Sequence, residues 1–276
     1  MKSKAVPLVP DPVCVAVLGP VAVRSRAGGM IEPPGVLAKR FLALLALAGG
    51  RSVSTATIVD ELWQDDPPAG ARSALQTLVS RLRSVCSDGL IETTAAGYRL
   101  TCAPEQIDLG LAQQRLAQSS GSLEALRDTL ALWRGEPGGD LGESDVTDDL
   151  REQADSAHEL LSRLFAETLF NAGEYDEALG VARRLRLEHP LDDTVTGLTL
   201  RVLSAAGRRA DALAEFEAYR RRLRDELGTS PGPELVSLHT ALLRETSELE
   251  PSPGSARVDA SLPASASRLP QRPPPR

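Results

Sequence analysis

The chain has 276 residues, 42% of them apolar and 25% charged, the balance of a folded protein of about two domains. Aromatic residues make up only 3%, so cores must be built from Leu, Val and Ala, which disfavours a large sandwich or barrel and points to helices. The net charge of −7 argues against nucleic acid only on average: residues 1–106 carry 11 basic and 9 acidic side chains, residues 107–276 carry 20 and 29.

Cys14, Cys86 and Cys102 form no CxxC, so neither a disulfide framework nor a zinc ribbon is indicated, and each reads as a small buried hydrophobe. No apolar run reaches the roughly 20 residues of a membrane span. No signal-peptide core stands out around Pro7, Pro10 and Pro12, so a cytoplasmic location is expected.

In chain order, Val13, Val15 and Val17 alternate up to Gly19-Pro20, and Val21 and Val23 follow, which predicts a hairpin. A helix is predicted at about 36–48, with Leu37, Phe41, Leu44, Leu45 and Ala48 on one face and Gly49-Gly50 as its stop. Ser54 is the N-cap of a second helix through Trp63, with Ile58, Val59 and Leu62 facing inward. Asp65-Asp66-Pro67-Pro68 supplies an Asp cap and first-turn prolines for a third helix, about Ala69 to Val85. Leu90–Thr94, Ala95-Ala96-Gly97 and Tyr98–Leu100 read as a closing hairpin. Sheet, three helices, hairpin is the order of a winged helix-turn-helix.

Residues 107–247 read as helical throughout, and they repeat. Gly173 and Gly207, Ala178 and Ala212, and Leu179 and Leu213 are each 34 residues apart, with Pro190 at the usual close of a unit, which is the tetratricopeptide pattern. Chance likeness of two helical hairpins is the alternative. Glu124 through Gly135 reads as a third, weaker unit. Residues 248–276, rich in Pro, Ser and Ala, read as a disordered tail. The fold class is therefore mainly α with a small α+β part: a winged helix-turn-helix at 1–106, then an all-α tetratricopeptide-like domain at 107–247.

The third helix carries the functional signal. On a helical wheel Ala71, Ala74, Leu75, Leu78, Val79, Leu82, Val85 and Cys86 share one arc. Ser73, Gln76, Thr77, Ser80 and Ser84 lie opposite, flanked by Arg72 and Arg83 on one side and Arg81 on the other. No Asp or Glu occurs between Pro67 and Ser87. Short hydroxyl and amide side chains let a helix approach base edges in the major groove, Gln pairs with adenine, and flanking Arg reaches phosphates or guanine. The plainer alternative is an ordinary solvated helix face.

Leu42–Ser52, Ile58–Trp63, Asp66–Ala69, Leu75–Arg83 and Gly97–Leu100 resemble the Streptomyces antibiotic regulatory protein family. The likeness continues in Ala131–Gly135, Glu188–Leu191, Asp225–Gly228 and Pro231–Leu235. The resemblance implies an OmpR-type winged helix followed by a bacterial transcriptional activation domain, in a small form without an ATPase module. It further implies a pathway-specific activator of a secondary-metabolite gene cluster that binds direct repeats in promoter DNA. Implied partners are RNA polymerase holoenzyme with its sigma factor and a second copy, as a homodimer on DNA. By position, Arg81 and Arg83 match the paired arginines of the family's recognition helix, and Arg72, Ser73, Thr77 and Ser80 its other groove-facing residues. The wing departs from the pattern: Thr94 stands where an Arg is common and Ala95 where a Gly is, which argues against minor-groove anchoring. Arg99 is left as the wing's cation for a phosphate, with Glu92 opposing it.

No catalytic or metal chemistry is expected, nor any cofactor. Lys2, Lys4 and Lys39 are the only lysines and none follows Gly, so no P-loop is present. No receiver domain is expected ahead of the first strand. His158, His189 and His239 lie far apart, and His158 beside Glu152, Asp155 and Glu159 reads as a solvated acidic helix face. Asp145, Asp148 and Asp149 lack calcium-loop spacing, and the serines of the third helix have no base. Trp63 and Trp133 read as caps on the core rather than stacking platforms. Two further readings stay open: an interaction scaffold whose winged domain binds DNA weakly, and a repressor that occludes a promoter.

Overall fold

The computed structural model describes residues 13–118 and 121–249. Strands β1 (Val15–Ala16), β2 (Ala22–Arg24) and β3 (Met30–Ile31) precede α1 (Val36–Leu47), β4 (Val53–Ser54), α2 (Thr55–Trp63) and α3 (Ala71–Val85). The hairpin β5 (Ile91–Thr93) and β6 (Gly97–Leu100) closes this part. Helices α4 (Asp108–Ala117), α5 (Leu123–Leu130), α6 (Asp145–Ala172), α7 (Tyr175–Glu188), α8 (Asp193–Ala205), α9 (Arg209–Leu227) and α10 (Pro233–Leu249) follow.

The first sheet is antiparallel in the order β1-β2-β3, with Val15 opposite Val23 and Val23 opposite Ile31. The expected hairpin is therefore present with a third strand added. Its alternation does not separate a wet face from a dry one. Val15, Val17, Leu18, Val21 and Val23 join the main core, while Val13, Ala16 and Ala22 pack on the other side with Met30 and Leu111. Both faces are dry because Leu111, on α4, roofs the side that a free winged domain would expose.

Of the face predicted for α1, Phe41 and Leu45 are buried and Leu37, Leu44 and Ala48 only partly so; Ala38, Leu42, Ala43 and Ala46 are also inside, since α1 packs on α2, α3 and α6. Ser54 caps α2 as expected, its Oγ accepting the Thr57 N–H at 3.0 Å. Helix α3 starts two residues later than predicted and has Gly70, not an Asp, at its N-cap. Pro67 and Pro68 lie ahead of it, the Pro68 carbonyl accepting the Ala71 N–H at 2.9 Å.

The second sheet runs β4-β6-β5. A β-carbon on Gly97 would lie 1.9 Å from the Val53 carbonyl oxygen, so only Gly lets β6 pair this closely with β4. Phe41 meets Tyr98 edge to face, with ring centroids 5.9 Å apart, and so seats the hairpin on α1.

In the helical half, α6/α7 and α8/α9 are the two repeated pairs. Gly173 and Gly207 turn the chain between partners with φ of 83° and 73°, which an L side chain resists. Ala178 and Ala212 are fully buried where the helices approach. Helix α10 lies against α8 and α9. The expected third unit is helical only through Leu130; Trp133–Gly135 leaves the helix, and the Arg134 N–H donates to the Leu18 carbonyl at 2.8 Å. Helix α10 reaches Leu249, two residues into the expected tail, and the rest of that tail lies outside the described residues, as do Pro7, Pro10 and Pro12. No helix among the described residues is long and apolar enough to cross a membrane.

Candidate nucleic-acid interface

Helix α3 buries Leu75, Val79 and Leu82 and leaves Arg72, Ser73, Gln76, Thr77, Ser80 and Arg81 exposed. The wheel sorts this helix as read from its sequence because one apolar stripe at helical spacing is enough to dock it. Among the described residues, the side chains of Arg72 and Arg81 make no ion pair or hydrogen bond. Thr77 donates its hydroxyl to the Ser73 carbonyl at 2.9 Å, which leaves its oxygen as an acceptor. Ser84 similarly donates to the Arg81 carbonyl at 2.7 Å.

Arg83 is placed differently. Its Nε and Nη2 both donate to the Ile91 carbonyl, at 3.0 and 2.9 Å, and Nη2 also reaches Thr93 Oγ1 at 2.9 Å. The guanidinium therefore ties α3 to β5. The same end of α3 is held from the other sheet: Arg26 donates to the Arg83 carbonyl at 3.1 Å and pairs with Asp88 at 2.8 Å. The helix is fastened to both sheets at its C-terminal end, while its N-terminal turns pack Leu75 and Leu78 inward beside α2.

The wing is self-satisfied. Thr94 Oγ1 accepts the Gly97 N–H at 3.1 Å and hydrogen-bonds Ser52 Oγ at 3.2 Å. Arg99 lies opposite Glu92 across the β5–β6 ladder and pairs with it at 2.6 Å. Glu92 is thus the partner of Arg99, where the sequence suggested only an opposing charge. Ser54, Thr55 and Ala56, at the N-terminal turn of α2, line a cleft with Arg72, Gln76, Ala95, Ala96 and Tyr98. A helix N-terminus beside an unpaired guanidinium is an electropositive recess.

Asp60 of α2 lines a neighbouring cleft with Arg72 and Ser73, and further acidic side chains lie toward α6. Burial, and then the charges of Asp145, Asp149 and Asp60, raise the Glu61 carboxyl above the ordinary range where α2 faces the start of α6. Cys86 and Cys102 are free thiols pushed up to about 11, chiefly by burial. His158 meets Trp133 edge to face at 5.0 Å, and Trp63 and Trp133 are partly buried against the core. No cluster among the described residues could hold a metal ion.

Residues that the sequence reading passed over join the first sheet and α1 to the helical half. Asp108 is fully buried and accepts the N–H groups of Val17, Leu18 and its own neighbour Leu109 at 2.8–3.0 Å. Arg134 lies 3.4 Å from it and donates to the Pro20 carbonyl at 3.1 Å. Lys39 pairs with Asp140 at 2.7 Å, and the same carboxylate accepts the Val21 N–H at 3.0 Å. Arg40 donates to the carbonyls of Leu141 and Glu143 at 2.7 and 2.8 Å. The only sequence signal for this joint was the Leu132-Trp133-Arg134-Gly135 run, whose partner strand lies more than a hundred residues upstream.

Residues 38–100 match the model of the C-terminal domain of transcriptional regulatory proteins, and residues 100–243 match the bacterial transcriptional activator domain. Transcriptional regulator RedD of Streptomyces coelicolor is 30% identical over 248 residues, covering 84% of this chain and 70% of RedD. Regulatory protein DnrI of Streptomyces peucetius is 29% identical, over 92% of this chain and 98% of DnrI. Regulatory protein AfsR of Streptomyces griseus is 29% identical over 95% of this chain, which spans only 28% of AfsR. In fold, the chain is similar to Mycobacterium tuberculosis EmbR, solved with a low affinity phosphopeptide, at a TM-score of 0.74 and 24% identity over 84% of this chain and 65% of that one. With both domain models matched in order and RedD and DnrI covered over most of their length, the chain belongs to the Streptomyces antibiotic regulatory protein family of DNA-binding transcriptional regulators.

Proposed function

We propose that the chain is a cytoplasmic activator of a secondary-metabolite gene cluster, reading promoter DNA with α3 and engaging RNA polymerase through its helical half. Residues 1–106 act as the DNA-binding unit and residues 107–247 as the activation unit. The observation that carries this reading is the exposed, acid-free strip from Arg72 to Arg81, whose two guanidinium groups make no ion pair or hydrogen bond among the described residues. Ser73, Gln76, Thr77 and Ser80 face base edges, Arg81 a guanine or phosphate, and Arg72 a phosphate seated by the N-terminal turn of α2. Two copies bind side by side on direct repeats about 10–10.5 bp apart, or a multiple of that. The reading contains no catalytic step and no cofactor.

A second reading, a protein-interaction scaffold with weak DNA affinity, is favoured by one observation: Arg99 and Thr94 are engaged within the wing, which leaves it no free cation. Duplexes enriched from a randomised pool by the full chain, titrated in gel shifts at two salt concentrations, separate the two. Selective binding that weakens steeply with salt supports the activator; flat, unselective binding supports the scaffold. A promoter fusion then distinguishes activation from repression by occlusion.

A further inference from the structure

The two arginines that follow Ser80, Arg81 and Arg83, are treated alike by any pattern that pairs them, yet the structure gives them opposite surroundings. Arg81 is exposed, and its side chain has no partner among the described residues. Arg83 is half-buried, with three donor contacts spent on β5. Three of the five N–H groups of this guanidinium are spent on a main-chain carbonyl and a threonine hydroxyl, which fixes its plane against β5 and leaves only Nη1 for a further acceptor.

We infer that Arg83 is a positioning residue: it touches no DNA, and by bracing α3 against β5 it sets the angle at which Arg81, Ser80 and Thr77 meet the groove. This rests on the DNA-reading role proposed above. The brace has a defined geometry. Two donors converge on the Ile91 carbonyl and one reaches Thr93 Oγ1, so they fix both the distance and the rotation of the helix end relative to the wing. Beyond Thr93 the turn is stiff, because Thr94 Oγ1 holds Gly97 and Ser52. On the opposite side Arg26 holds the Arg83 carbonyl itself. The wing thus serves as a strut for the reading helix, consistent with its lack of a free cation. Lys cannot replace Arg83, since one ammonium cannot reproduce the planar fork.

The test compares Arg83→Gln, Arg83→Lys, Thr93→Val and Arg81→Gln in the full chain, on duplexes enriched by the wild type and on scrambled duplexes, across a salt series. A lost phosphate contact lowers the slope of log K against log salt by about one unit, and Arg81→Gln is expected to do so if Arg81 meets a phosphate. Arg83→Gln is expected to leave that slope unchanged while cutting selectivity for the enriched duplex about tenfold, the scale of one misplaced base contact. Arg83→Lys should fail to restore it. Thr93→Val changes an exposed side chain without threatening the core, and should cut selectivity in the same direction; combined with Arg83→Gln it should add little, since both act on one bond. A slope reduced by about one unit in Arg83→Gln, or unchanged selectivity in both Arg83→Gln and Thr93→Val, overturns the inference. If the wild type itself selects no duplex, it is the DNA-reading role that fails.

Discussion

The carboxylate of Asp108 and the guanidinium of Arg134 lie 3.4 Å apart at the joint between the winged part and the helical part, and both side chains are almost wholly buried, at 1% and 4% exposure. Burial raises the Asp108 carboxyl above the ordinary range, prevailing over the N–H groups of Val17 and Leu18, the Arg134 charge and the Leu109 N–H, which pull it down. Removing the carboxylate leaves three N–H groups and a buried cation without their acceptor. Asp108→Ala is therefore expected to cost about 3–5 kcal/mol, read as a lowered midpoint in urea unfolding. A loss below about 1 kcal/mol would show that water replaces the carboxylate.

Arg81 is the side chain of α3 that most directly tests the interface. Since its side chain makes no hydrogen bond or ion pair among the described residues, Arg81→Ala is expected to abolish or strongly weaken binding to wild-type-enriched duplexes while leaving the far-ultraviolet circular dichroism and the thermal midpoint unchanged. Retained wild-type affinity would remove this residue from the interface.

Gly97 sits where a side chain has no room. Gly97→Ala forces β6 away from β4 at the Val53 carbonyl and loosens the hairpin that Arg83 grips. Expected are a destabilisation of about 2 kcal/mol or more and reduced DNA selectivity, measured by thermal melting and gel shift. A fully stable variant would mean that the β4–β6 pairing is dispensable.

The helical half has an acid-sensitive cap. Asp192 accepts the N–H groups of Thr194 and Val195 at 2.7 and 3.1 Å and pairs with Arg163 at 2.6 Å. Burial opposes ionisation, but Arg163 and the two N–H donors outweigh it and hold the carboxyl below the ordinary range. A folded pKa below the unfolded one adds stability that is fully present above about pH 4, the unfolded value, and is lost as pH falls through the folded value. Asp192→Asn keeps a capping side chain and loses the charge, so it should be less stable than wild type at pH 7 by about 1 kcal/mol. That gap should close on acidification below about pH 4. A gap independent of pH would assign the effect to the cap alone.

The strip on α3 was legible because helical spacing is a local property: each residue's face follows from its neighbours within two turns. The Ser54 cap was legible for the same reason, and the 34-residue repeat because the same small residues recur at one fixed spacing. Strands β3 and β4 were not, since two residues carry no alternation to read. The helical wheel puts Arg81 and Arg83 on opposite flanks of the strip, but it does not say which flank meets the wing. Which of them meets the wing depends on how β5 docks, and docking is set by Tyr98 against Phe41. Nothing in the local sequence distinguishes Asp108, an acid in the first turn of α4. Its role comes from β1 and the turn to β2, some ninety positions away, and nothing local marks that encounter.

The family motifs far down the chain gain a physical meaning only when folded. Asp193, just past the Glu188–Leu191 motif, accepts the Tyr219 hydroxyl at 2.6 Å and the Gly232 N–H at 2.6 Å, and a β-carbon on Gly232 would lie 2.5 Å from that carboxylate. The small residue between two prolines thus lets α10 begin against α8, while Tyr219 also donates to the Leu191 carbonyl at 3.0 Å.

Severing the polypeptide after Gln106 would peel away Leu111 and uncover Val13, Ala16 and Ala22, while stripping the acceptor from the amides of Val17 and Leu18. A fragment cut there would emerge sticky and short of hydrogen-bond partners, so its failure to bind a duplex would report damage at the cut rather than any lack of affinity in the intact regulator.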